Sequence, residues 1–235
     1  MSSVLSITLP PLRQTTHLLR DHLPCALADI AEGYLLPEDM TSVQSIVEAG
    51  HYELCVEVKY VNDGLSSACG SGYMDIVQLM IAKGASNWDW GLSSACINGH
   101  MDIVQLMITK GASNWDSGLL SACYNGHMDI AQLMIDKGAN DWDRGLSFAC
   151  CNGRMNIIQL MIAKGASNWD DGLSSACING HMDIVQLMIA KGANDWNRGL
   201  SNACSNGHMD MVQLMIAKGA MTCVACNNSE HSFTS

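Results

Sequence analysis

The chain has 235 residues, of which 48% are apolar, and that composition excludes a wholly disordered polypeptide. Its formal charge of −11, from 12 Lys and Arg against 23 Asp and Glu, has the wrong sign for nonspecific binding to phosphates or to anionic membranes, so neither nucleic acid nor membrane is expected as a partner. No window reaches the roughly 18 consecutive apolar residues of a membrane span, and no basic start leads into an apolar run with a cleavage site, so a cytoplasmic location is expected.

Residues 1–36 stand apart from the rest. Pro10 and Pro11 punctuate the start, and Leu18, Leu19, Leu23, Leu27 and Ile30 mix with Arg20, Asp21 and Asp29 in a helix-compatible pattern broken at Pro24. The segment reads as one or two short helices that cap the rest of the chain or pack against it. Within it, LPCALADIAEGYLL, residues 23–36, resembles the opening of F-box-like modules, which implies an alternative role as an adaptor that recruits a ubiquitin ligase. Residues 37–63 read as a degenerate first repeat, with a first helix ending at Gly50-His51.

From Gly64 the chain repeats one phrase six times, at Gly64, Gly91, Gly118, Gly145, Gly172 and Gly199, each 27 residues after the last. A chain built this way is a solenoid. In the second copy Leu92, Ala95 and Cys96 share one helical face at i, i+3 and i+4, so Gly91 to Asn98 predicts a short first helix that Gly99 stops. A second helix is predicted from Met101 to Lys110, with Ile103, Leu106 and Met107 as its buried stripe and Val104 and Ile108 widening it. Asp102 at its start and Lys110 at its end match the helix dipole. Helices this short are marginal alone, so stacking must supply the missing burial.

The recurring side chains have simple readings. Cys69, Cys96, Cys123, Cys150, Cys177 and Cys204 share one phase. Neighbouring helices lie about 10 Å apart, too far for the Cα spacing of about 7 Å that a disulfide allows, so all six read as buried, reduced apolar residues. Trp88, Trp115, Trp142, Trp169 and Trp196 fall in the inter-unit turn and read as plugs between helix pairs, the other reading being an aromatic ladder for stacking rings. His100, His127, His181 and His208 form a row interrupted by Tyr73 and Arg154, a poor metal set but a good set of donors to an adjacent turn. No nucleotide loop, zincin motif or nucleophile elbow is present, so no catalysis and no cofactor are expected. After Met221 the pattern stops, and residues 221–235 read as a flexible tail, although Cys223, Cys226 and His231 have the spacing of half a zinc site.

The fifth copy carries Ala176-Cys177, Gly180-His181, Ile184-Val185, Leu187-Met188-Ile189 and Gly192-Ala193. This order and spacing resembles the ankyrin-repeat signature, and in its shortness it resembles the ankyrin-like repeats of large DNA viruses of amoebae and some protists, which would make the protein a host-facing viral one. The resemblance implies an all-α solenoid of stacked helix-turn-helix units and a non-catalytic scaffold for protein–protein interaction. The period is shorter than the 33 residues of an ordinary ankyrin unit, because Gly111-Ala112 reaches Ala122-Cys123 through residues 113–121 alone. The β-hairpin finger is therefore expected to be shortened or absent.

Three phases vary between copies while the core phases stay fixed. They are Gly70, Ile97, Tyr124, Cys151, Ile178 and Ser205; Trp90, Ser117, Arg144, Asp171 and Arg198; and Ser67, Ser94, Ser121, Phe148, Ser175 and Asn202. The first and third fall on the first helices, which line the concave side in ankyrin-like stacks, and the second falls in the turn before them. Trp90, Tyr124, Arg144, Phe148 and Arg198 are the candidate contacts for a protein partner, because aromatic and Arg side chains dominate interfaces; drift on a solvated face would produce the same variation. The apolar end at Gly219-Ala220 also suggests a homo-dimer formed through the repeat ends.

Overall fold

The computed structural model describes residues 60–221. Within them the chain forms twelve helices and no strand, so the hairpin finger is absent from every described unit. The residues divide into two compact bodies, one ending at Ser86 and the other beginning at Asn87. In the first, α1 (Val61–Ser71) packs against α2 (Met74–Ala82). In the second, five pairs follow: α3 (Trp88–Asn98) with α4 (Met101–Lys110), α5 (Trp115–Asn125) with α6 (Met128–Lys137), α7 (Trp142–Cys151) with α8 (Met155–Lys164), α9 (Trp169–Asn179) with α10 (Met182–Lys191), and α11 (Trp196–Asn206) with α12 (Met209–Ala217). Each first helix of this body packs on its own second helix, and successive first helices pack on one another.

The core follows the repeat. Leu92, Ala95 and Cys96 are fully buried, as are their counterparts Leu119, Ala122 and Cys123. On the second helices the buried stripe is Ile103, Val104 and Met107, while Leu106 and Ile108 are half-buried. This corrects the stripe expected at Ile103, Leu106 and Met107. A helix apolar on nearly every side does not announce which face it buries, and adjacency to Val104 rather than Leu106 is decided by the partner helix. Gly99 and Gly111 end the two helices in the left-handed region, with φ of 82° and 109°, a conformation glycine adopts without a Cβ penalty.

The first helices begin three residues earlier than the repeat phrase suggests. Trp88, Trp115, Trp142, Trp169 and Trp196 are their first residues and are half-buried, so these rings lie on helix starts and not in a turn. The residue before the Trp serves as the cap in four of these five helices, among them Asn87, which accepts from Trp90 N at 3.3 Å, Asn114, from Ser117 N at 3.1 Å, and Asp195, from Arg198 N at 3.1 Å. Such a side chain satisfies one of the helix's orphan donors.

The residue after each Trp joins one pair to the next. Asp116 Oδ1 accepts the backbone N–H groups of Asn140 at 2.7 Å and Asp141 at 3.1 Å. Asp89 does the same for Ser113 and Asn114, Asp143 for Ser167 and Asn168, and Asp170 for Asn194 and Asp195. At the end of the series Asn197 takes Met221 N at 2.8 Å. These carboxylates hold the inter-unit turn that a finger would otherwise fill. Truncation of one, Asp116→Ala, is expected to cost about 1–2 kcal/mol of stability, since two charge-assisted bonds are lost at a partly solvated site. Asp116→Asn, which keeps an acceptor, should cost distinctly less; urea unfolding of the two variants checks this.

The cysteine phase splits. Cys96, Cys123, Cys150 and Cys177 are buried free thiols, and burial pushes the first three up to about 12 and Cys177 up to about 11. Cys204 departs from the expectation: it is half-buried and disulfide-bonded. It lies in the last described pair. The readings for residues 1–36, for most of residues 37–63, and for Cys223, Cys226 and His231 lie outside the described residues.

Candidate protein-binding surface

The first helices present a repeated polar and aromatic stripe. Because they start at Trp, the phase of Trp90, Ser117, Arg144, Asp171 and Arg198 lies inside the helix rather than in the turn before it. Arg144, Phe148 and Cys151 then fall at i, i+4 and i+7, which is one helical face. The same spacing joins Trp90 to Ser94 and Ile97, and Ser117 to Ser121 and Tyr124. All three variable phases therefore form one stripe on each first helix.

Neighbouring stripes touch. The rings of Tyr124 and Phe148 meet edge to face with centroids 6.2 Å apart and planes at 66°, a favoured aromatic geometry. Arg198 pairs with Asp171 of the preceding unit. Arg144 turns to Asp141 at 3.2 Å, and Asp141 is the residue of its phase that makes no capping bond. Ser93 and Ser121 share a hydroxyl hydrogen bond of 2.8 Å, as do Ser147 and Ser175, and Asn202 donates to Ser174 Oγ at 2.7 Å. Part of the third variable phase is thus tied into inter-unit contacts.

Exposure separates the five candidates. Trp90 is 49% and Tyr124 40% exposed, both Arg side chains reach solvent, and Phe148 is half-buried under its ring contact. The structure brings Tyr124 and Phe148 together and gives each Arg an acidic neighbour. Ile178, 36% exposed at the phase of Tyr124, and Asp171, the ion-pair partner, belong to the same surface; their membership of the variable phases was the signal that could have picked them out.

The imidazole row has a structural job. His208 Nε2 lies 3.1 Å from Ile178 O, and at the interrupted position Arg154 Nε donates to Tyr124 O at 3.4 Å. A methyl group added at Gly99 would lie 2.5 Å from His127 Cε1, and one at Gly153 would lie 2.8 Å from His181 Cε1. The rings of His127, His181 and His208 therefore each cover the glycine turn of the preceding unit. Beside Arg154 a surface cavity of about 330 Å³ opens between the turns at Gly126 and Gly153. Among the described residues no three His, Cys, Asp or Glu side chains gather as a metal site, and no helix is long and apolar enough to cross a membrane.

Comparison with known proteins agrees with this architecture. No curated protein matches the chain. The crystal structure of the human ASB11 ankyrin repeat domain is similar over 67% of this chain and 84% of that one, with a TM-score of 0.50 and 20% sequence identity, a likeness of fold alone. A family model for three copies of the ankyrin repeat matches residues 65–145, 92–171 and 119–199, together more than half of the sequence. The chain belongs to the ankyrin-repeat family.

Proposed function

We propose that the protein is a non-catalytic scaffold whose first-helix stripes bind a protein partner through Trp90, Tyr124, Arg144, Phe148 and Arg198. Ankyrin repeats generally mediate protein–protein interaction, and the observation that carries the reading here is the coincidence of the variable phases on one continuous face. Core phases repeat because packing dictates them. The stripe varies from unit to unit and holds exposed aromatic and Arg side chains, the types that supply most binding energy. A cytoplasmic setting, and the viral origin that short repeats of this kind suggest, belong to the same proposal.

Self-association through the C-terminal end is the second reading, favoured by Met209 at 47%, Ile216 at 38% and Met221 at 77% exposure. One experiment addresses both. The chain and a variant with Tyr124, Arg144, Phe148 and Arg198 all changed to Ala are used as bait in extract from the native host, after matched helical signal and melting are established. A specific partner should be held by the natural chain and bound at least about tenfold more weakly by the variant. Equal retention would move the contact off this face, and recovery of the chain alone would favour self-association.

A further inference from the structure

Each first helix of the second body runs out into the same dipeptide: Asn98-Gly99, Asn125-Gly126, Asn152-Gly153, Asn179-Gly180 and Asn206-Gly207. Asn-Gly is the dipeptide most open to spontaneous deamidation, because no side chain on the second residue obstructs its nitrogen. The glycine nitrogen attacks Cγ of the asparagine and loses its proton, ammonia leaves with the side-chain nitrogen, and a five-membered succinimide ring remains. Water then opens the ring to an aspartyl or an isoaspartyl residue. The net change is one amide and one water converted to one acid and one ammonia, with no oxidant or enzyme required.

The structure treats these five chemically equal steps unequally. Four carry a side chain of the following unit on the glycine: His127 on Gly99, Arg154 on Gly126, His181 on Gly153 and His208 on Gly180, each within 3.0 Å of where a Cβ would stand. Two of the asparagines are also held across the joint, Asn125 Nδ2 donating to Ile97 O at 2.5 Å and Asn179 Nδ2 to Cys151 O at 2.6 Å. Among the described residues, Gly207 has nothing within 4 Å of its Cβ position. Asn206 and Gly207 are both exposed, and Asn206 Nδ2 bonds within its own helix, to Asn202 O at 2.9 Å. The Gly207 N–H is shared between Ala203 O and Cys204 O, the latter at 3.3 Å, whereas Gly126 N reaches Ala122 O at 2.9 Å. A more loosely held amide nitrogen and an exposed side chain tied only within its own helix favour ring closure.

We infer that Asn206-Gly207 is a spontaneous deamidation site of the folded protein, and that the next unit's His or Arg shields the four internal steps. The product places a carboxylate, or a backbone lengthened by one methylene, in the last turn of α11. Negative charge there opposes the helix dipole. In a stack coupled only to nearest neighbours, the damage stays near the α11–α12 pair. The shielding side chains thus protect the four steps they cover.

The test is peptide mapping by mass spectrometry of the full chain aged at mildly alkaline pH, reading the gain of about 1 Da that marks deamidation, together with enzymatic detection of isoaspartate. In the folded protein Asn206 should gain that mass at least about tenfold faster than any internal site, and in urea the five rates should converge, since only folding distinguishes them. Asn206→Gln should abolish the main product. His208→Ala, which uncovers Gly180, should raise the rate at Asn179 while leaving Asn98 unchanged. Equal rates in the folded chain, an internal site that leads, or persistence of the spread in urea would overturn the assignment; so would a fall at Asn179 in His208→Ala, which would make the imidazole a base rather than a shield.

Discussion

Raising the pH from about 9 towards 11 is expected to unfold the repeat array steeply, through the buried thiols. Cys96, Cys123 and Cys150 are pushed up from the ordinary value to about 12 by burial, and Cys177 to about 11. In the unfolded chain these thiols lose their protons near pH 9, while in the folded chain they keep them well above it. Between the two values the folded state binds more protons, so stability falls as pH rises. The contribution is intact below pH 9 and drains away through the window from 9 to 11 or 12. One such thiol costs about 1.4 kcal/mol per pH unit there, and four together about 5, against a total stability of the order of 5–15 kcal/mol for a domain. The measurement is the urea midpoint as a function of pH for the natural chain and for a variant with these four cysteines changed to Ala. The variant loses some packing and starts lower, so the slope is the readout. It should be much flatter above pH 9, and parallel slopes would show that these thiols do not set the alkaline limit.

The same cysteines show how far the sequence carries the fold. Six copies of one phrase separate phases that packing dictates from those it leaves open, and Leu92, Ala95, Cys96, Ile103 and Met107 are buried as their recurrence predicts. The glycine stops at Gly99 and Gly111 and the span of the second helix are also readable, because each follows from local backbone chemistry. The start of the first helix is not. Gly91 opens the recurring phrase, but the cap is Asn87, four residues before it, and a lone Asn ahead of a Trp resembles many turns. Asp116 is harder still, since its two acceptor contacts lie 24 and 25 residues away and leave no local periodicity. Cys204 shows the converse, for it shares the phase of the buried thiols yet is half-buried and disulfide-bonded.

For the candidate surface, variation among the copies picks out the phases, and their spacing of three and four places them on one face once the helix start is known. The pairings need three dimensions. Tyr124 meets Phe148 across a step of 24 residues and Arg198 meets Asp171 across 27, so the offset between partners changes with side-chain length and direction and cannot be read from the period alone.

Gly145→Ala is expected to destabilise the array by about 1–3 kcal/mol, the cost of overpacking a filled core. The sign is informative, because the same change inside an ordinary exposed helix gains up to about 1 kcal/mol. Gly145 lies in the first turn of α7 with its backbone in the joint between two pairs. A Cβ there would stand 2.7 Å from Met161 Sδ, in its own pair's second helix, and 3.4 Å from Cys123 Sγ, in the preceding first helix. Both of those side chains are fully buried, so neither can swing into solvent to make room. The added methyl group must lever α7 away from α5 or from α8, and in a nearest-neighbour stack a weakened joint uncouples the pairs on its two sides. Urea unfolding should therefore broaden as well as shift. A double-mutant cycle with Met161→Ala isolates the cause: removing the sulfur opens a cavity that costs stability alone but accepts the new methyl, so the double variant should be more stable than the sum of the singles by about 1–2 kcal/mol. Strict additivity would place the cost elsewhere in the helix and remove close approach at Gly145 as the reason glycine opens the repeated phrase.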